Sequence, residues 1–180
     1  MSRIDSDASA FGQFSLHDAR VYALVFQRYQ YQGNLLLDID YIAEWGQHED
    51  GEHRFLVAPA TLTFLDVVDL QVHLDWGNRA IYEKKPHGVI CCPSGELIVD
   101  DFNRFAHTDP LYTNQPKPYF RYELSFWQPA GARIALGATD FRMVGRQEAV
   151  RSRKQSLEPA QRPPFVCGGS WNSGFAPGSQ

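Results

Sequence analysis

Between residues 20 and 143 the bulky apolar residues recur at every second position, and no long stretch repeats at helical spacing. Leu70, Val72, Leu74 and Trp76 face one way, while Gln71, His73 and Asp75 face the other. Phe120, Tyr122, Leu124 and Phe126 make a second stripe. Leu35, Leu37, Ile39 and Tyr41 make a third, opposed by Asp38 and Asp40. Residues 20–27 are apolar on both faces, which predicts a central or doubly covered strand. Further strands are predicted over 54–58, 61–67, 89–92, 96–99 and 133–143, with a short helix as the alternative over 96–106. Turn chemistry falls between them at 31–34, 50–51, 75–78, 93–95 and 129–131, and residues 110–118 read as a Pro-rich surface loop. Short strands with so little helix predict an all-β chain, an antiparallel β-sandwich or barrel-like single domain with at most one short helix.

Length and composition remove several classes. A chain of 180 residues with 43% hydrophobic content fits one domain with a real core. No apolar run approaches the roughly 18 residues of a membrane span. The polar opening Met1-Ser-Arg-Ile-Asp has no apolar leader, which predicts a cytoplasmic chain. Three cysteines, two of them adjacent at Cys91 and Cys92, make no disulfide framework and read as reduced thiols.

Charge divides the chain. Of 17 basic and 21 acidic residues, 12 and 19 precede Arg146, a net of −7, and the remainder carries +3. The overall −4 argues against nucleic acid as a partner. From residue 146 the apolar alternation stops and Gly, Pro and Ser accumulate. Residues 14–145 are therefore expected as the β-domain and 146–180 as a basic tail, lying on the acidic body or free of it. Trp171 and Phe175 are two aromatics able to pin that tail.

Few residues carry chemistry. His17-Asp18 precedes the first long strand, and His73 and Asp75 project from the polar face of another. Imidazole nitrogens and carboxylates ligate Zn, Mn or Fe when four converge, so these are the metal candidates of an enzyme reading. The plainer reading makes His17 and Asp18 structural, fixing the chain where it enters the strand. Asp38 and Asp40 share one strand face about 7 Å apart. That spacing serves glycoside hydrolysis, but also an Arg-paired face or an acidic surface offered to a basic partner. Trp45, Trp127 and Tyr112 fall near loops or outer faces, where aromatics stack on sugars or anchor protein interfaces. No phosphate loop, CxxC pair or nucleophile elbow is present, so no cofactor and no catalytic residue are expected.

Phe14-Ser-Leu-His-Asp-Ala-Arg-Val, Leu35-Leu-Leu-Asp-Ile-Asp-Tyr-Ile, Val57-Ala-Pro-Ala-Thr-Leu-Thr-Phe and Ala135-Leu-Gly-Ala-Thr-Asp-Phe-Arg resemble the strands of small bacterial β-rich proteins. Some similar families are immunity proteins of polymorphic toxin systems. The resemblance spans residues 14–145 and implies a non-enzymatic protein that plugs a toxin. With the acidic body it sets the expected function: a protein-binding module meeting a basic toxin through Asp38, Asp40, Asp75, Trp45 and Trp127. A carbohydrate- or small-ligand-binding β-domain is the alternative, followed by a metal-dependent enzyme.

Overall fold

The computed structural model describes residues 5–29, 32–47, 51–75, 83–85, 88–90 and 97–165. In chain order they form β1 (Asp5–Asp7), β2 (Arg20–Tyr29), β3 (Gln32–Gln47), β4 (His53–Leu65), β5 (Val68–His73) and β6 (Glu83–Lys85). There follow β7 (Gly88–Ile90), β8 (Leu97–Ala106), β9 (Phe120–Gln128), β10 (Ala132–Ala138), β11 (Asp140–Gly145) and β12 (Val150–Ser152). The helical structure among the described residues is one four-residue helix, α1 (Pro110–Thr113), and 3-10 turns at Ala8–Gln13 and Pro159–Gln161. β6 and β7 pair with each other, and the other strands form one ten-stranded antiparallel sheet.

The sheet closes on itself. β4 and β5 continue one another across a break at Asp66 and Val67, and β10 and β11 do so across Thr139. β4 pairs with β11 and β5 with β10, while β3, β2, β8 and β9 complete the circuit. Of the two arrangements open from sequence, the pairing gives the barrel. Asp66 turns the corner with φ 55°, a left-handed conformation that Asp tolerates better than most residues, and Thr139 N–H bridges to the Leu65 carbonyl at 3.0 Å. Among the described residues the narrowest join lies between β2 and β8, where Arg20 pairs with Ile98 and Val21 with Leu97, extended by Asp18 N–H to Val99 O at 2.8 Å and Val99 N–H to Ala19 O at 2.9 Å.

Alternation fills the interior. Leu35, Leu37 and Ile39 of β3, Leu62 and Phe64 of β4, Tyr122 and Leu124 of β9, and Ile134 and Leu136 of β10 are all buried. Rings from different walls meet inside, with Phe64 5.3 Å from Tyr122 and Phe102 5.6 Å from Phe141. The N-terminal segment joins this core: Phe11 lies 5.3 Å from Phe102, and Phe14 stacks on Tyr41 at 5.5 Å. Chain ahead of residue 14 therefore contributes to the domain.

Some sequence expectations change. Val72 pairs with the buried Ile134 on the inward side, yet is 43% exposed. The strand expected over 96–99 is present and longer, running as β8 over 97–106 in place of the helical alternative; register shifts between Val99 and Asp101 hide the alternation of its second half. Residues 54–58 and 61–67 join in the single strand β4, which runs through Pro59. That proline is tolerated because the neighbour of β4 changes there, from β11 at Ala60 to β12 at Val57. Its carbonyl accepts from Arg146 N–H at 2.8 Å, and its missing N–H falls in the gap between the two strands.

Residues 146–165 lie on the outside of the barrel as a strap. β12 pairs with β4, and Leu157 and Val150 pack with Ile42, Phe55 and Val57 in a second small apolar cluster. Residues 76–78 of the turn expected at 75–78, the turn at 93–95, Cys91, Cys92, Trp171 and Phe175 lie outside the described residues, and Trp76 with them. No helix among the described residues is long and apolar enough to cross a membrane.

Candidate functional site

Asp38 and Asp40 point outward from β3, and the strap buries them. Asp38 is 5% exposed and Asp40 fully enclosed, which corrects the expectation that they present an open acidic surface. Arg162 donates through Nη2 to Asp38 at 2.6 Å and through Nε to Asp40 at 2.9 Å, and Arg146 donates through Nη2 to Asp38. Asp40 also accepts from Tyr22 Oη at 2.9 Å and from Leu157 N–H at 2.8 Å. The Arg162 guanidinium lies 3.6 Å over the Tyr22 ring. Buried carboxylates need such partners, and the basic strap supplies them.

The two arginines respond in opposite directions. Burial works against the charge of Arg162, but Asp40 and Asp38 outweigh it and raise its pKa. At Arg146 burial prevails over Asp38, with Arg162 adding repulsion, and the pKa falls. Burial and then Asp40 raise the Tyr22 phenol above its ordinary value. This is a closed clasp. The cleft of about 1040 Å³ beside it is lined by Arg20, Tyr22, Phe55, Arg153, Arg162 and Phe165 among others.

A different set of residues stays open. His17 and Asp18 form the turn that enters β2, and Asp18 takes φ 62°, a strained setting for a residue with a side chain. His17 Nδ1 lies 2.7 Å from the Asp100 carbonyl, which fixes the ring, and the imidazole stacks beside Trp45 at 6.5 Å. Asp18 receives the Trp127 indole N–H at 3.1 Å on one oxygen and Gln155 of the strap at 3.1 Å on the other. His17 Nε2 stands 3.8 Å from that second oxygen. Trp45 projects from β3 against the edge of Phe55 at 5.2 Å, and Trp127 from the outer face of β9. The indoles remain 53% and 49% exposed.

The sequence marks His17-Asp18 and the two tryptophans separately, and the fold makes them one surface. Exposed Asp100 and Asp101 border it on β8. The hydrogen bond to the Asp100 carbonyl raises the His17 pKa; burial opposes this, and the charges of Asp18, Asp100 and Asp101 add to the rise.

The second pair of metal candidates lies elsewhere. His73 pairs across β10 with Arg133 and lines a shallow depression with Gln71, Val72 and Gly131, while Asp75 is exposed beyond the end of β5. The four candidates therefore do not converge, and no group of three or more His, Cys, Asp or Glu among the described residues is placed to hold a metal ion. Tyr112 packs on His107 at 4.7 Å, away from both tryptophans in chain and contacts. Sequence reasoning missed Tyr22, Arg146, Gln155 and Arg162. The signals for the arginines were the opposite charge of the two chain segments and the Arg-paired face open to Asp38 and Asp40, which is the arrangement found. Compared with known proteins, the chain matches no family model, no curated protein and no solved structure.

Proposed function

We propose that this chain is a non-enzymatic protein-binding module whose recognition surface is the part of the barrel carrying Trp45, His17, Asp18 and Trp127. One observation carries the reading: two half-exposed tryptophans are joined through a hydrogen-bonded His-Asp turn on the outside of a filled barrel. Tryptophans are over-represented among the few residues that dominate interface energies, and exposed apolar groups held in fixed positions lose little entropy on binding. The resemblance noted in the sequence narrows the partner to a bacterial toxin, blocked by occupation of its surface in the cytoplasm. Exposed Asp100 and Asp101 at the border suit a basic partner, a task that the enclosed Asp38 and Asp40 cannot serve.

The test is capture from the source organism with quantitative proteomics, comparing the natural chain with Trp45→Ala, Trp127→Ala and the control Val72→Ala. A protein held by the natural chain and the control but lost by both tryptophan variants supports the reading. Equal capture by all four overturns it. Binding to a glycan array that depends on both tryptophans, with no protein captured, replaces it with the carbohydrate reading.

A further inference from the structure

We infer that the surface at Trp45 and Trp127 accepts a guanidinium side chain from a basic segment of its partner. The inference rests on the protein-binding reading above and names the chemistry that reading leaves open.

Shape comes first. Trp127 is held by its edge, through the N–H to Asp18 at 3.1 Å, and its indole remains half exposed for contact. Trp45 is braced by His17 and by the edge of Phe55, and it too is half exposed. His17 stacks on one side of Trp45, so each indole is positioned with about half of its surface left open. A planar cation gains over such a face, and indole is the strongest of the aromatic side chains in this respect.

Charge comes second. Asp18, Asp100 and Asp101 all act on His17, so negative potential gathers at the turn joining the two indoles. A carboxylate at the rim of an aromatic face complements a cation seated on it. The Asp18 oxygens are engaged by Trp127 and Gln155, which makes Asp18 the anchor of the surface; Asp100 and Asp101 are its exposed charges, Asp101 being held in place by Phe102 N–H and the Asn103 amide.

The fold also shows this chemistry internally. Arg162 lies 3.6 Å over Tyr22 and is gripped by Asp38 and Asp40. Arg104 is seated between two rings, 4.6 Å from the centre of Phe11 and 4.9 Å from that of Phe120. Arginine suits these seats because its guanidinium is flat, always charged and weakly hydrated, whereas the lysine ammonium is compact and strongly hydrated. The surface at Trp45 and Trp127 offers aromatic faces and carboxylates of the same kind, with the cation still to come from outside.

The experiment titrates the full chain with fluorescent hexa-arginine, hexa-lysine and uncharged Gly-Ser peptides, read by polarisation at low and at physiological salt. Hexa-arginine should bind more tightly than hexa-lysine. Trp45→Ala and Trp127→Ala should each weaken hexa-arginine by about three- to thirtyfold. Asp100→Asn with Asp101→Asn should weaken both cationic peptides and flatten the salt dependence. Trp127→Leu, which keeps bulk without an aromatic face, should behave like Trp127→Ala, and circular dichroism checks that every variant is folded. Equal binding of the arginine and lysine peptides, unchanged in the tryptophan variants, would mean attraction by net charge alone and would overturn the inference. No arginine binding alongside tryptophan-dependent capture of a protein would overturn it too, and would leave the protein-binding reading standing.

Discussion

Replacing Asp40 with alanine removes the acceptor on which three donors converge. The enclosed carboxylate takes Arg162 Nε at 2.9 Å, Tyr22 Oη at 2.9 Å and Leu157 N–H at 2.8 Å. Breaking a buried ion pair from one side costs about 3–5 kcal/mol, because the other charge is left uncompensated. Asp38 still holds Arg162 through Nη2 at 2.6 Å, which places Asp40→Ala near the lower end, about 3 kcal/mol. Asp40→Asn keeps one acceptor oxygen but turns the other into an NH2 that faces a donor, so it loses the charge and at least one hydrogen bond and should still cost more than about 1 kcal/mol. Urea denaturation gives the global loss, and amide hydrogen exchange at Leu157 tells whether the strap has come away. The loss should persist at high salt, since the pair is shielded from solvent. Asp40→Ala combined with Arg162→Ala should cost well below the sum of the two single changes. A loss under about 1 kcal/mol, with the Leu157 amide still protected, would refute the reasoning. The strap would then be held by the packing of Leu157 on Ile42, Phe55 and Val57.

Leu124→Ala, a fully buried deletion in β9, should cost about 2–5 kcal/mol by denaturant melting, whereas Val72→Ala at a 43% exposed position should cost under about 1 kcal/mol. Gly137→Ala places a methyl 2.6 Å from Val68 Cγ2 and 3.2 Å from the His107 ring, and should destabilise by about 1–3 kcal/mol. The folded-state pKa of His17 lies above its ordinary 6.5, so its stabilising contribution is complete below 6.5 and fades as pH rises through the folded value. The Tm of the natural chain relative to His17→Gln should therefore fall as pH is raised from about 6 to about 8, and a rise over that window would show that the imidazole is held neutral.

The strand pattern was legible because it depends on alternation alone. Leu35, Leu37, Ile39, Tyr122 and Leu124 are buried where period two puts them. Period two cannot say how strands are ordered, and closure depends on β4–β5 meeting β10–β11 in pairs such as Leu65 with Asp140. Bulges blurred the end of one strand: the shifts around Val99 and Asp101 left a helix open as the alternative over 96–106 and shortened the strand expected there to 96–99. Asp38 and Asp40 were placed on the correct face of their strand, but nothing local reveals that Arg146 and Arg162 return to cover it. Low apolar content made residues 146–165 read as a tail, docked on the acidic body or free of it; ion pairs and the packing of Leu157 and Val150 dock it. His17, Asp18, Trp45 and Trp127 each stood out by type. Their meeting depends on contacts as distant as Asp18 with Trp127, 109 residues apart, which no spacing rule reaches.

Closure of the barrel has a consequence for the order of events during synthesis. β2, β3 and β4 pair with their chain neighbours and can form a meander as soon as they emerge, but β4 then offers a bare edge until β11 arrives. Thr139, which bridges to Leu65, lies 74 residues further along the chain. At about 5–20 residues per second, that edge stays uncovered on the ribosome for several seconds, long enough to meet another nascent chain. Pro59 lies within the waiting strand and has no N–H to offer there, so a foreign strand laid along the edge would find its ladder interrupted. The proline that the finished barrel accommodates between β11 and β12 thus also guards the half-made one.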